Sequence, residues 1–413
     1  MKTYIFIIRR ICDITGAQQY VYNKMNYLES QGWRVLIFSS MKGHIMIDGF
    51  RKFEHLILPP LYLSPVCYRK SEVRRTIDRI ISEIGDYNPE DTIIESDILQ
   101  RSVWAELVAS RLKCRHLSMF VQEKYKRNTD PQSFIRFKYD RHELSCITKN
   151  GIQMLFGEDN EDVRRDARFV AYCNNVILEA PDKYSAMLNP KADLTLGSLG
   201  RLSKPYVPFV VEAFCKYAAS HPDKLFNIVF IGDSSNRGKK DEISRAFKGL
   251  PNVNLVMTGN VYPVPVSFAH KVDVFVSTAG ASNATYNVGI PTVMVHALTG
   301  DPVGVIGLDF MQTEKSMYDA MHDTTIEDCI DKALVQKTEI RFLGGAAEYD
   351  EKMRTEFKRQ LTFIDYTDKK EYYPEEKLMK IRTPSHYPFF FLWSIGHFLG
   401  GKGQTILWNL LRN

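Results

Sequence analysis

Residues 195–233, TLGSLGRLSKPYVPFVVEAFCKYAASHPDKLFNIVFIGD, read as a buried strand, a tight basic turn, an amphipathic helix and a second buried strand ending at Gly232 and Asp233. Two apolar strands joined through a helix pair in parallel, and a parallel sheet must be covered by helices on its faces, so this stretch alone points to an α/β fold. The turn sets Arg201 and Lys204 beside a helix start. A glycine-bearing turn lets backbone N–H groups approach an anion, and the positive end of a helix adds attraction for phosphate. Two readings follow: a grip for a diphosphate, or two solvated charges on an ordinary βαβ turn.

The same alternation runs along most of the chain. In the first half YIFII, a helix through Tyr20 to Ser30, RVLIFSS, TIIES, a helix through Trp104 to Leu112 and HLSMFV follow one another; in the second half the strands are DLTLGSL, FNIVFIG, VNLVMTG, VDVFVST and PTVMVHA. At 413 residues the chain fits two such domains, with the proline-bearing stretch around Ala180 to Ala192 as connector. The expected division is an N-terminal Rossmann-like domain over 1–185, a second over 186–360, and a C-terminal helical segment over 361–413 that crosses back or lies on a membrane. Parallel sheets of this kind bind ligands at the carboxyl ends of their strands.

Composition narrows the function classes. A formal charge of +5 is mild for this length and gives no sign of a nucleic-acid partner. The seven cysteines are scattered with no CxxC pair, which suits reduced thiols in a cytoplasmic protein and no metal site. The apolar run in MKTYIFIIRR is too short for a signal-peptide core, and no stretch reaches the roughly 20 apolar residues of a membrane span. Phe389, Phe390, Phe391, Leu392, Trp393, Ile395, Phe398 and Leu399 form a dense aromatic block bracketed by basic residues. It suits an interfacial helix or a terminal helix packed on the protein body. Arg69, Lys70, Arg74, Arg75 and Arg79 recur near helical spacing, as a solvated helix face or as one half of an anionic-membrane contact.

Near the N-terminus, strand one runs into Gly16, Ala17 and a following helix, but GxGxxG occurs neither there nor at Gly197–Gly200, so no nicotinamide fingerprint is present. The ordered set GWRVLIFSS, GSLGRLSK, EAFCKYAASHP, IVFIGD, LPNVNLVMTGNV, VDVFVST and GIPTVMV resembles GT-B glycosyltransferases over most of residues 1–300. It is most similar to the family-four sugar-nucleotide enzymes, and STAGAS has a local likeness to lipid-linked N-acetylglucosaminyltransferases. The resemblance implies two Rossmann-like domains facing a central cleft and transfer of a sugar from a nucleoside diphosphate donor, held as co-substrate with no cofactor, to a glycan or lipid-linked acceptor in surface polysaccharide assembly. It implies Gly16 and Ala17 beside the donor phosphates and Arg201 with Lys204 on the diphosphate. Asn260 and Val261 would border the base, and Ala281, Ser282, Asn283 and Thr285 would line the sugar or phosphates. Glu123, at the end of HLSMFV where the family commonly has a histidine, is the acceptor-side candidate, or simply a solvated loop start.

Two departures stand out. Lys204 follows Arg201 by three residues where the family spacing is five, with Tyr206 at the expected place, and the family's glutamate pair is missing from SNATYNVGIP. No DxD stands at a strand end, so the cations would do a metal's work. The competing readings are a same-fold sugar-nucleotide epimerase, for which His44 and Glu95 are the acid/base candidates, and a catalytically silent binding protein. The expected location is cytoplasmic, peripheral on the inner face of the membrane.

Overall fold

A computed structural model describes residues 2–12, 14–120, 129–156, 163–234, 236, 238–312, 314–321, 323–342, 345–364 and 371–381. The chain divides into two compact units, Met1–Ala171 with Arg354–Asn413, and Tyr172–Met353.

In the first unit β1 (Thr3–Arg10), β2 (Arg34–Met41), β3 (Thr92–Ser96), β4 (Arg115–Phe120) and β5 (Leu144–Cys146) form one sheet in the order β2-β1-β3-β4-β5, parallel throughout. Tyr4, Ile5, Phe6 and Ile7 are all fully buried, as expected of a central strand covered on both faces. The helices are α1 (Gly16–Ser30), α2 (Lys70–Ile84), α3 (Leu99–Leu112), α4 (Asp130–Asp140) and α5 (Lys149–Phe156).

The second unit opens with β6 (Ile177–Leu178) and holds β7 (Leu194–Leu199), β8 (Phe226–Ile231), β9 (Val253–Gly259), β10 (Val264–Pro265), β11 (Val274–Ser277), β12 (Thr292–Val295) and β13 (Pro302–Val305). Its main sheet runs β13-β12-β11-β7-β8-β9, parallel except for the antiparallel edge strand β13, while β6 and β10 pair separately. The helices are α6 (Val207–Ala219), α7 (Gly238–Phe247), α8 (Val266–Ala269), α9 (Ala279–Asn287) and α10 (Ile326–Val335). The unit boundary falls at Ala171/Tyr172, ahead of the stretch the sequence suggested as connector. The reason is that the stretch is tied to the second unit: half-buried Tyr184 and Leu188 pack against the cluster that holds Ile177 and Val264, and the Asn189 N–H donates to Asn227 Oδ1 at 2.8 Å.

The last helices are α11 (Gly345–Ile364) and α12 (Glu375–Leu378). Along α11 the chain passes from the second unit back to the first, at Met353/Arg354 rather than at residue 361. Its return is fixed by a buried polar cluster. Lys24 Nζ donates to Glu95 Oε2 at 2.5 Å, to Gln360 Oε1 at 2.8 Å and to the Tyr20 hydroxyl at 3.1 Å, and Tyr4 donates its hydroxyl proton to the same Glu95 oxygen.

A second buried network lies beneath β4. His116 Nδ1 stands 2.6 Å from Glu106 Oε2, Lys138 Nζ lies 2.9 Å from the same oxygen and 2.6 Å from Glu143 Oε2, and the Tyr373 N–H donates to Glu106 Oε1 at 2.9 Å. Burial pushes the Glu106 carboxyl up, but Lys138 and then His116 outweigh it and hold it at about 2; burial and then Lys138 hold His116 at about 4. Both folded values are depressed, so both groups contribute stability that is complete above their ordinary values and lost as pH falls. The first unit is expected to lose stability as pH drops from about 6.5 towards about 4 through His116, and further towards about 2 through Glu106. His116→Asn should flatten the upper part of that decline, measured by tryptophan fluorescence during thermal unfolding at a series of pH values. A wild-type midpoint constant from pH 7 to 4 would contradict the assignment.

Candidate nucleotide-sugar site at the carboxyl edge of the second sheet

The strand order of the second unit reverses direction between β7 and β11, and open α/β sheets bind ligands at the carboxyl edge beside such a reversal. The two strand ends are tied together there: the Leu199 N–H donates to Ser277 Oγ at 2.9 Å, and Ser277 Oγ donates back to Leu199 O at 3.2 Å. The turn after β7 carries Arg201 and Lys204, and α9 begins immediately after β11.

Arg201 and Lys204 are both exposed. Surrounding protein, and then the Arg201 guanidinium, hold the Lys204 ammonium below the ordinary lysine value, which places the two cations within each other's field. Among the described residues neither has a carboxylate at ion-pair distance. Two adjacent cations without a counter-charge repel each other at a cost in stability, a cost that a bound polyanion removes.

The backbone of the turn is held from below. The Gly200 N–H donates to Ile231 O at 2.9 Å and the Leu202 N–H to Asp233 O at 3.0 Å, while Gly232, at φ +149°, lies so close that a Cβ built on it would stand 2.0 Å from Gly200 O. Tyr206, which the sequence comparison put at the lysine position, is 1% exposed with its hydroxyl 3.3 Å from Leu199 O. Burial pushes its phenol up to about 12, so it is a neutral prop under the turn. The start of α6 offers less than its position suggested. The Val207 and Phe209 N–H groups donate to Lys204 O and Tyr206 O, and Pro208 has no N–H, so the first turn of α6 offers a ligand no free amide.

The free amides are at α9. Thr278 does not cap it, because its hydroxyl donates to Val295 O at 2.7 Å; the first turn has no acidic residue, and Ala279 takes φ +52°. Among the described residues the Ala279 and Gly280 N–H groups have no hydrogen-bond partner. Gly280 is closely covered, since a Cβ there would lie 2.7 Å from Asn174 Oδ1. Ser282 and Thr285 are fully buried, with Ser282 Oγ donating to Ala279 O at 2.7 Å and Thr285 Oγ1 to Ser282 O at 3.0 Å. Contrary to expectation, these hydroxyls face the core and are occupied, leaving a ligand only the backbone at this helix start. Ala281 and Asn283 are half-buried, and the Asn283 Oδ1 is enclosed without a partner among the described residues. Asn260 is exposed and Val261 half-buried, directly beyond β9 on the same edge.

In the first unit, Gly16 and Ala17 are exposed in the first turn of α1, which has neither a side-chain cap nor an acidic residue. Glu123 lies outside the described residues. The epimerase candidates separate: His44 is exposed, whereas Glu95 is 3% exposed and occupied by Lys24 and Tyr4. Sequence reasoning missed Gly232 and Asp233 as supports of the basic turn. The signal was the small-residue end of FNIVFIGD, where a side chain would meet the neighbouring turn.

No protein-family model matches the chain, and no curated protein matches its sequence. Its structure is similar to that of a glycosyltransferase from Rickettsia africae (12% identity, 94% of this chain and 98% of that chain, TM-score 0.54). It is also similar to Anabaena Alr3699/HepE in complex with UDP and glucose (11% identity, 88% of this chain and 98% of that chain, TM-score 0.53) and to TarM (9% identity, 92% and 97%, TM-score 0.50). The fold is the GT-B fold of glycosyltransferases.

Proposed function

We propose that the protein is a glycosyltransferase that takes a sugar from a nucleoside diphosphate donor and passes it to a hydroxyl of a glycan or lipid-linked acceptor. In that reaction the anomeric C–O bond to the diphosphate breaks, the acceptor oxygen takes its place, and the acceptor's proton leaves. Charge builds on the departing diphosphate, and stabilising it is the main task of the site. The supporting observation is that the Arg201–Lys204 couple after β7 and the Ala279 and Gly280 N–H groups after β11, all without partners among the described residues, follow neighbouring strands where the sheet order reverses. Arg201 supplies a bidentate grip and Lys204 a point charge, without a metal ion. The complexes of HepE with UDP and glucose and with UDP-glucose favour a uridine diphosphate donor. The finer reading places the reaction on the cytoplasmic face of a membrane, in surface polysaccharide assembly.

Titration calorimetry with UDP and GDP tests the grip. Arg201→Ala should weaken nucleotide binding by about 2 kcal/mol, roughly thirtyfold, the worth of hydrogen bonds to a charged group. Unchanged affinity would sink the assignment. A panel of sugar nucleotides then separates the activities: transfer releases nucleoside diphosphate only when acceptor is added, and epimerisation interconverts donors without release. A binding protein, the reading favoured by the absence of any carboxylate from Ser282 to Asn287, does neither.

A further inference from the structure

We propose, resting on the nucleotide-sugar reading above, that His296 reads the sugar of the donor by donating a hydrogen bond from Nε2 to a sugar hydroxyl. Leu199, Ser277 and Met294 form one row across the neighbouring strands β7, β11 and β12: Ser277 pairs with Met294, and its hydroxyl exchanges hydrogen bonds with Leu199. Arg201, Ala279 and His296 each lie two residues beyond that row, at the carboxyl edge of the sheet. β11 and β12 stay together past their pairing, because Thr278 Oγ1 donates to Val295 O at 2.7 Å. His296 therefore follows the strand next to the one that leads into the free Ala279 and Gly280 amides, on the side away from Arg201.

The loop after β12 holds this imidazole by one nitrogen only. Its backbone is closed: the His296 N–H donates to Asp301 O at 2.7 Å, the Gly300 N–H to His296 O at 3.1 Å and the Ala297 N–H to Met317 O at 2.9 Å, and Gly300 lies against Phe209 in the first turn of α6. The Thr299 N–H donates to His296 Nδ1 at 3.1 Å and the Leu298 N–H at 3.4 Å, while Thr299 Oγ1 stands 2.9 Å from the same nitrogen. A backbone N–H can only donate, so Nδ1 is the acceptor and the neutral ring carries its proton on Nε2. Nε2 lies on the far side of the ring from these contacts, and among the described residues it has no partner. A nucleoside diphosphate sugar carries its nucleoside and its sugar on opposite sides of the diphosphate. With the diphosphate on Arg201, Lys204 and the α9 amides, one end lies towards β8 and β9 and the other towards β12. A sugar ring is recognised through its hydroxyls, each of which needs a directed donor or acceptor. The β12 loop offers these in the Nε2–H of half-buried His296 and the carboxylate of exposed Asp301, whereas exposed Asn260 and half-buried, apolar Val261 beyond β9 suit a flat base.

Titration calorimetry of the full chain with UDP, UDP-glucose and UDP-N-acetylglucosamine tests this with two variants. In His296→Asn the side-chain oxygen takes the place of Nδ1 as the loop's acceptor and the outward donor is lost; in His296→Gln the amide nitrogen reaches the place of Nε2 and the loop's acceptor is lost. His296→Asn should bind UDP within about twofold of wild type and at least one of the two sugar nucleotides about fivefold more weakly, the worth of one hydrogen bond between neutral groups. His296→Gln should keep most of that affinity. A residue that only props the loop gives the opposite order, with His296→Gln the damaging change and UDP affected as much as the sugar nucleotides. That order, or a His296→Asn protein in which neither sugar nucleotide loses more than UDP does, would overturn the role of His296 and leave the donor site standing where Arg201→Ala still weakens UDP. A wild type that binds none of the three removes the donor site and the role of His296 together.

Discussion

Gly232→Ala is expected to damage nucleotide binding more than removal of either cation, although residue 232 offers a ligand nothing. The methyl group would stand 2.0 Å from Gly200 O and 2.7 Å from the Gly200 carbonyl carbon, and both are backbone atoms that no rotamer change can move aside. The turn has little freedom to retreat, because the Gly200 and Leu202 N–H groups are anchored to Ile231 O and Asp233 O on either side of the contact. The φ of +149° adds its own strain once a Cβ is present. Overpacking and backbone strain together suggest about 3 kcal/mol lost from the second unit, seen as a fall of about 6 to 12 °C in its unfolding midpoint. The displaced turn should carry Arg201 and Lys204 away from the α9 amides, with a loss of about a hundredfold in UDP affinity. Gly249→Ala is the control, since a Cβ there meets nothing within 4 Å, and it should change neither quantity. A Gly232→Ala protein that melts and binds UDP like the wild type would show that the turn is not held in the way described.

This result would bear on what a sequence can disclose. The strand-helix alternation was readable because the strands are short apolar runs, several closed by Gly or Asp as in FNIVFIGD and VNLVMTG, and FNIVFI is buried at every residue as such a run requires. The grouping of Arg201, Asn260 and Ala281 on one sheet edge follows from that alternation, because parallel strands put all their carboxyl ends on the same side. The facing of individual side chains did not follow. Whether Ser282 and Thr285 look outward or into the core depends on the rotation of α9 about its axis, which is set by Ala279 at φ +52° and by packing against β12; neither is written in SNATYN. The contact of Gly232 with Gly200 joins residues 32 apart and is visible only once the two strands are registered. The short β6–β10 pair escaped for a related reason: two-residue strands carry no periodicity, and their partner determines them. Glu95 was misleading in isolation, since it reads as a free acid/base candidate until Lys24 and Tyr4 are placed beside it.

The Lys24–Glu95 pair carries the second large effect. Lys24→Met should leave the Glu95 carboxyl in the interior of the first unit without its ammonium partner, and breaking a buried pair in this way costs about 3–5 kcal/mol. Burial already pushes the Lys24 ammonium below its ordinary value, and the opposing pull of Glu95 is what keeps a charge there tolerable. The same substitution removes one of the two donors to Gln360 Oε1, the Tyr20 hydroxyl being the other, so α11 loses a contact that fixes its return to the first unit. The effect can be assigned to a unit, because all four tryptophans, Trp33, Trp104, Trp393 and Trp408, lie outside Tyr172–Met353. Tryptophan fluorescence during thermal unfolding should show a midpoint lower by about 10 °C, while the second unit, followed by UDP-dependent stabilisation in calorimetry, is little affected. Lys24→Met/Glu95→Leu replaces both charges with apolar groups of comparable length and should recover most of the loss, because an apolar pair of similar volume carries no desolvation penalty. If the single and double variants melt together, the cost lies in the packing of the Lys24 stem and not in the orphaned carboxylate. If neither differs from wild type, the pair is not what holds α1, β3 and α11 together.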